Sequence, residues 1–75
     1  MTVREFTGRC WYAQQIVIIT WKQFDKCENI DDVLGKALLR CKNYELRSEV
    51  YREINNKMVD SYGVMDEYLI IEVHE

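Results

Sequence analysis

A chain of 75 residues, 48% hydrophobic and 31% charged, with no Pro and three isolated Gly, has room for one core and none for a linker or second domain. Its two Trp, five Tyr and two Phe exclude a disordered segment. The net charge of −3 argues against a protein that tracks duplex nucleic acid through many phosphate contacts, and the acidity is terminal, with Asp66, Glu67, Glu72 and Glu75 lying beyond the last Lys or Arg.

From Thr2 to Tyr12 the chain is rich in β-branched and aromatic residues, with Phe6, Cys10 and Tyr12 on one parity and Gly8 as a bend, which predicts a first strand. Gln15 to Trp21 is β-branched or aromatic almost throughout and apolar on both parities. It predicts a central strand, paired with the first as a hairpin turning near Ala13 and Gln14. Asn29 then offers an N-cap to a helix over 30–41, because its side chain can accept from an orphan amide while Asp31 and Asp32 complement the positive end of the dipole.

Between Tyr44 and Tyr62 two patterns compete. Leu46, Val50, Ile54, Met58 and Tyr62 recur every four residues, Glu53 and Lys57 stand at i,i+4, and Gly63 is placed to cap, which predicts an amphipathic helix. The alternative takes 46–62 as a β-hairpin turning at Asn55 and Asn56, giving a mostly β domain with one helix. Alternation there does not separate polar from apolar residues, which favours the helix. Glu67 to His74 alternates well and predicts the last strand. The expected fold is a single α+β domain over 1–75, a small three-stranded sheet of antiparallel type with two helices on one face, in the order ββααβ.

The chemistry-bearing residues are sparse. His74 is the sole histidine, and Cys10, Cys27 and Cys41 are too widely spaced to present paired metal ligands and lie beside no cluster of cations that would activate a thiol. Glu45, Glu49 and Glu53 share a helical face but have Arg52 and Lys57 for neighbours, the composition of a solvated surface. No glycine-rich loop is present to cradle a phosphate. These observations predict no catalytic residues, no metal and no cofactor. An odd number of cysteines, and no apolar stretch long enough to span a bilayer, place the expectation in the cytoplasm and away from membranes.

With helices on one face only, the other face of the sheet would carry Trp11, Ile16, Ile18, Tyr68 and Ile70 into solvent. Contiguous apolar patches of that kind mark binding surfaces. The expectation is therefore a small protein-binding module that self-associates through the sheet face or edge and regulates or inhibits a larger protein rather than acting by catalysis. The alternative is a nucleic-acid binder, using a stripe of Lys36, Arg40, Lys42, Arg47 and Arg52 on the helices or aromatic side chains on the sheet face.

Overall fold

The structure is a computed structural model that describes residues 1–74. Its first element is a helix, α1 (Val3–Thr7), where a strand is predicted. Thr2 and Glu5 decide this. The Thr2 hydroxyl accepts from the Glu5 amide, and the Glu5 carboxylate accepts from the Thr2 amide at 2.9 Å, a reciprocal cap that satisfies two orphan donors. The hydrogen bonds from the Thr2 backbone and then its side chain hold the Glu5 carboxyl below the ordinary range.

The segment after α1 loops to β1 (Gln15–Thr20), which ends where the Thr20 side chain accepts from the Gln23 amide and opens α2 (Trp21–Phe24). Trp21 therefore belongs to a helix rather than to the strand. Helix α3 (Ile30–Lys36) starts at Asn29, whose Oδ1 accepts from the Asp32 amide at 3.0 Å as expected. It stops five residues before the predicted end, and the chain continues as β2 (Leu39–Lys42).

The long helix over 44–62 does not form. Two 3₁₀ turns, Asn43–Arg47 and Glu49–Tyr51, flank Ser48, whose extended backbone (φ −65, ψ 143) breaks any helical path between them. A short α4 (Arg52–Asn55) follows. The Asn55 side chain donates to the carbonyls of Leu46, at 2.6 Å, and Tyr51, so a polar side chain holds this turn together. The predicted 46–62 hairpin is absent too. The hairpin lies later, between β3 (Val59–Met65) and β4 (Tyr68–Val73), and turns at Asp66 and Glu67. Asp66 takes φ 55, a left-handed conformation that a short polar side chain tolerates.

The protein is α+β, with a four-stranded mixed sheet ordered β2-β1-β4-β3 in place of the expected three-stranded ββααβ arrangement. The inner strands β1 and β4 run parallel in the register Ile16↔Leu69, Val17↔Ile70 and Ile18↔Ile71, and β2 and β3 pair antiparallel on the outside. This register alternates the faces. Ile16, Ile18, Leu69, Ile71 and Val73 pack with Val3, Phe6 and Leu46 beneath α1 and the 43–55 turns. Val17, Ile19 and Ile70 pack with Val33 and Phe24 beneath α2 and α3. Both faces are thus covered by the chain itself, which is why the Ile16–Ile19 run is apolar on both parities. Each isoleucine or valine so buried contributes roughly 1.5–3 kcal/mol of burial free energy.

Candidate functional site

The double cover corrects the predicted interface. Ile16, Ile18 and Ile70 are at most 1% exposed, so they belong to the two cores and none can meet a partner. Tyr68 is half-buried against the α2–α3 core. Trp11 alone of the five stands well exposed, at 66%, and it lies on the loop between α1 and β1 rather than on the sheet face.

That loop carries an aromatic surface. The Trp11 and Tyr12 rings meet edge-on with centroids 5.7 Å apart, and Tyr12 lies 6.4 Å from Tyr44 of the first 3₁₀ turn. All three side chains are more than half exposed. Buried Asn43 holds the loop from below, its Nδ2 donating to the carbonyls of Thr7, Cys10 and Trp11 at 2.9–3.1 Å. Arg47 braces the same point, one guanidinium nitrogen donating to Thr7 Oγ1 at 2.7 Å and to Asn43 Oδ1 at 3.2 Å. The amides of Asn43 and Tyr44 also donate to the carbonyls of Gln14 and Tyr12, fastening both ends of the cluster. Large rigid aromatics on a fixed loop form a contact surface that loses little conformational entropy on binding. Tyr12 and Tyr44 had no sequence signal beyond composition, because nothing local shows that they meet Trp11.

The second exposed apolar surface is the outer edge of β3. Its first part is occupied: the Val3 amide donates to the Lys57 carbonyl and the Val59 amide to the Met1 carbonyl at 2.8 Å, with Thr2 bridged to Met58. Beyond the register shift between Val59 and Ser61 no strand among the described residues lies outside β3. The two-residue turn makes Met65 and Tyr68 a hydrogen-bonded pair, so Gly63 and Ile70 form the next one. The backbone amides and carbonyls of Tyr62 and Val64 then face outward. Their side chains share the α1 face, where the Tyr62 ring lies 4.7 Å from Phe6, yet they remain 63% and 71% exposed.

The sheet divides the predicted basic stripe. Arg40 and Lys42 alternate with buried Cys41 on β2, opposite Val17 and Gln15, and project toward the α2–α3 side, where Lys36 ends α3. Arg47 and Arg52 lie on the other side of the sheet and border, with Arg4, a small cavity beside the 43–55 turns. The five cations therefore do not form one stripe on a single face.

The thiols and His74 are dispersed as well. The Cys10 thiol donates to the Phe6 carbonyl and the Cys27 thiol to the Gln23 carbonyl. Burial raises the Cys10 thiol against the opposing pull of Arg47, and burial together with Glu45 pushes Cys41 up to about 11. His74 pairs with Asp60 on β3 at 3.6 Å. Among the described residues no group of three or more His, Cys, Asp or Glu could hold a metal ion. No helix among them is long and apolar enough to cross a membrane. Compared with protein-family models, curated proteins and solved structures, the chain matches none.

Proposed function

We propose that this chain is a protein-binding module that pairs with a second copy of itself along β3 and acts on a larger protein by binding, not by catalysis. The carrying observation is the open half of the β3 edge, where Tyr62 and Val64 present outward backbone groups together with exposed apolar side chains. Protected edges carry Lys or Pro; the 61–65 stretch has neither.

The edge is self-complementary. An antiparallel two-fold arrangement centred on Gly63 sets Tyr62 against Val64 of the other copy, twice, in hydrogen-bonded pairs, and sets Gly63 against Gly63 at the close spacing of about 4.5 Å typical of non-hydrogen-bonded pairs. Aromatic and β-branched residues facing each other across strands are favourable pairs. The result is a continuous eight-stranded sheet whose α1 face carries four apolar side chains in a row. The aromatic surface of Trp11, Tyr12 and Tyr44 is then left free for the larger partner, a regulated or inhibited protein.

Molar mass by light scattering during size-exclusion chromatography tests the pairing. The wild-type chain runs as a dimer at micromolar concentration, and Val64→Lys runs as a monomer with unchanged far-UV circular dichroism. A wild-type monomer at the highest soluble concentration sinks the proposal.

A second reading is favoured by one observation: Trp11, Tyr12 and Tyr44 could equally stack unpaired bases, with exposed Arg9 on the same loop. Quenching of Trp fluorescence by a single-stranded oligonucleotide, lost in Trp11→Ala and weakened by salt, would support that reading over a protein partner.

A further inference from the structure

The sheet has a second outer edge, β2, and its middle is open. The Asn43 amide donates to the Gln14 carbonyl, so the antiparallel ladder continues through Ile16↔Cys41 and Ile18↔Leu39 as its hydrogen-bonded pairs. The backbone groups of Arg40 and Lys42 then point away from β1, to a side where no strand among the described residues lies. The Lys42 amide is taken, donating to Glu45 Oε1 at 3.0 Å. The Arg40 amide and carbonyl are left as an open ladder position.

The side chains of this edge are cationic on one side of the sheet. Arg40 and Lys42 stand two residues apart on one strand, about 7 Å by strand geometry, both exposed and both on the α2–α3 side. Neither forms an ion pair or a side-chain hydrogen bond with another described residue. Half-exposed Leu38 precedes them and shares the border of a surface recess with Lys36, Thr20 and Gln23.

These features select an occupant. A second copy of β2 is barred, because edge-to-edge pairing would set Arg40 and Lys42 against the same cations. An anionic strand gains what that copy loses: it exchanges two backbone hydrogen bonds with Arg40 and places carboxylates opposite both cations. Nucleic acid matches the charge but brings no strand to complete the ladder. We infer that the β2 edge binds an extended acidic segment of the protein on which this module acts. The segment runs antiparallel, with acidic residues opposite Lys42 and Arg40 and an apolar one opposite Leu38. This rests on the reading of the chain as a protein-binding module but not on pairing along β3, since β2 is the edge that such a dimer leaves free at both ends of its sheet.

The experiment titrates the whole chain, and separately the Val64→Lys variant, with a blocked peptide of sequence Thr-Glu-Thr-Glu-Thr-Leu-Thr. Saturable binding of one peptide per chain is expected by calorimetry, equal in the two proteins and weakening as salt rises, with amide shifts centred on 38–42. Arg40→Glu and Lys42→Glu, both at exposed positions, each weaken it about tenfold or more. Methylating the peptide nitrogen that faces the Arg40 carbonyl removes a ladder bond without touching the protein, and weakens binding severalfold. The site is overturned by no saturable binding, by equal binding of a peptide with Lys in place of Glu, or by affinity unchanged in both charge-reversal variants with circular dichroism intact. Full affinity of the methylated peptide overturns it too, as does tighter binding of a single-stranded oligonucleotide to the same residues. Loss of binding in Val64→Lys alone would place the peptide on β3 instead.

Discussion

Asn43 Nδ2 donates to the Thr7 carbonyl at 2.9 Å, joining residues 36 positions apart and anchoring α1 to the first 3₁₀ turn. The same amide serves Cys10 and Trp11, so one side chain sets the path of the loop that carries Trp11 and Tyr12. Asn43→Ala would strand three carbonyls in or near the interior, at a cost of about 1–3 kcal/mol in urea unfolding. Amide exchange should quicken most over 8–14 while the protection of β1 and β4 changes only by the global loss. Asn43→Asp should behave similarly, because an ionised carboxylate accepts but does not donate. Full stability in both variants would mean that the loop is held by something else.

At Gly63 neither φ nor crowding requires glycine: its backbone avoids the left-handed region, and a Cβ there would meet nothing within 4 Å. Glycine inside a strand is entropically unfavourable, so Gly63→Ala should stabilise the single chain by roughly 0.5–1 kcal/mol. Thermal unfolding at low concentration, where association contributes little, gives the clean reading. A loss of stability there would mean that the strand departs from this geometry in solution.

How much of this was legible in the residues themselves divides along local and non-local lines. The strands at 15–20 and 68–73, and the Asn29 cap with the helix behind it, were readable because β-branched runs and caps act over a few residues. The cap at Thr2 and Glu5 is equally local, a hydroxyl followed three positions later by a carboxylate, but it stands in a segment whose composition is rich in β-branched and aromatic residues. What could not be read was the pairing. Putting β1 beside β4 in parallel sets even positions of one strand against odd positions of the other, which sent Ile16 and Ile18 to one core and Ile70 to the other. An apolar run on both parities is also the mark of a strand buried on two sides, and that reading removes the bare face outright. The aromatic cluster and the arginine cavity each bring together segments far apart in sequence, and no local pattern reports such a meeting.

The four-residue spacing from Leu46 to Tyr62 makes a direct contrast. Leu46 is fully buried, whereas Val50 is 78% exposed, although a continuous helix would put both on one face. Leu46→Ala should therefore cost about 2–5 kcal/mol, as a cavity in the α1-side core, and Val50→Ala should stay within about 0.5 kcal/mol. Equal losses at the two positions, measured by chemical denaturation, would restore the helix that the structure replaces with two 3₁₀ turns.

Cys41 makes the pH dependence of folding specific. Its thiol lies on β2 against the α1-side core, and burial first, then the Glu45 charge, raises it from 9.0 to about 11. The folded state thus favours the protonated form. The stabilisation is fully present below the unfolded value and is lost as the pH rises through the folded one, because the unfolded chain ionises its thiol earlier. Between 9.0 and about 11 this group alone should lower stability by at most about 1.4 kcal/mol per pH unit, the slope of one whole proton. Lysines and tyrosines titrate in the same range, so the quantity to measure is a difference. Cys41→Val preserves an apolar side chain of similar size and carries no proton to lose. Its stability relative to wild type should be flat from pH 6 to 8 and improve steadily above 9. Parallel curves up to pH 11 would place the thiol in contact with water.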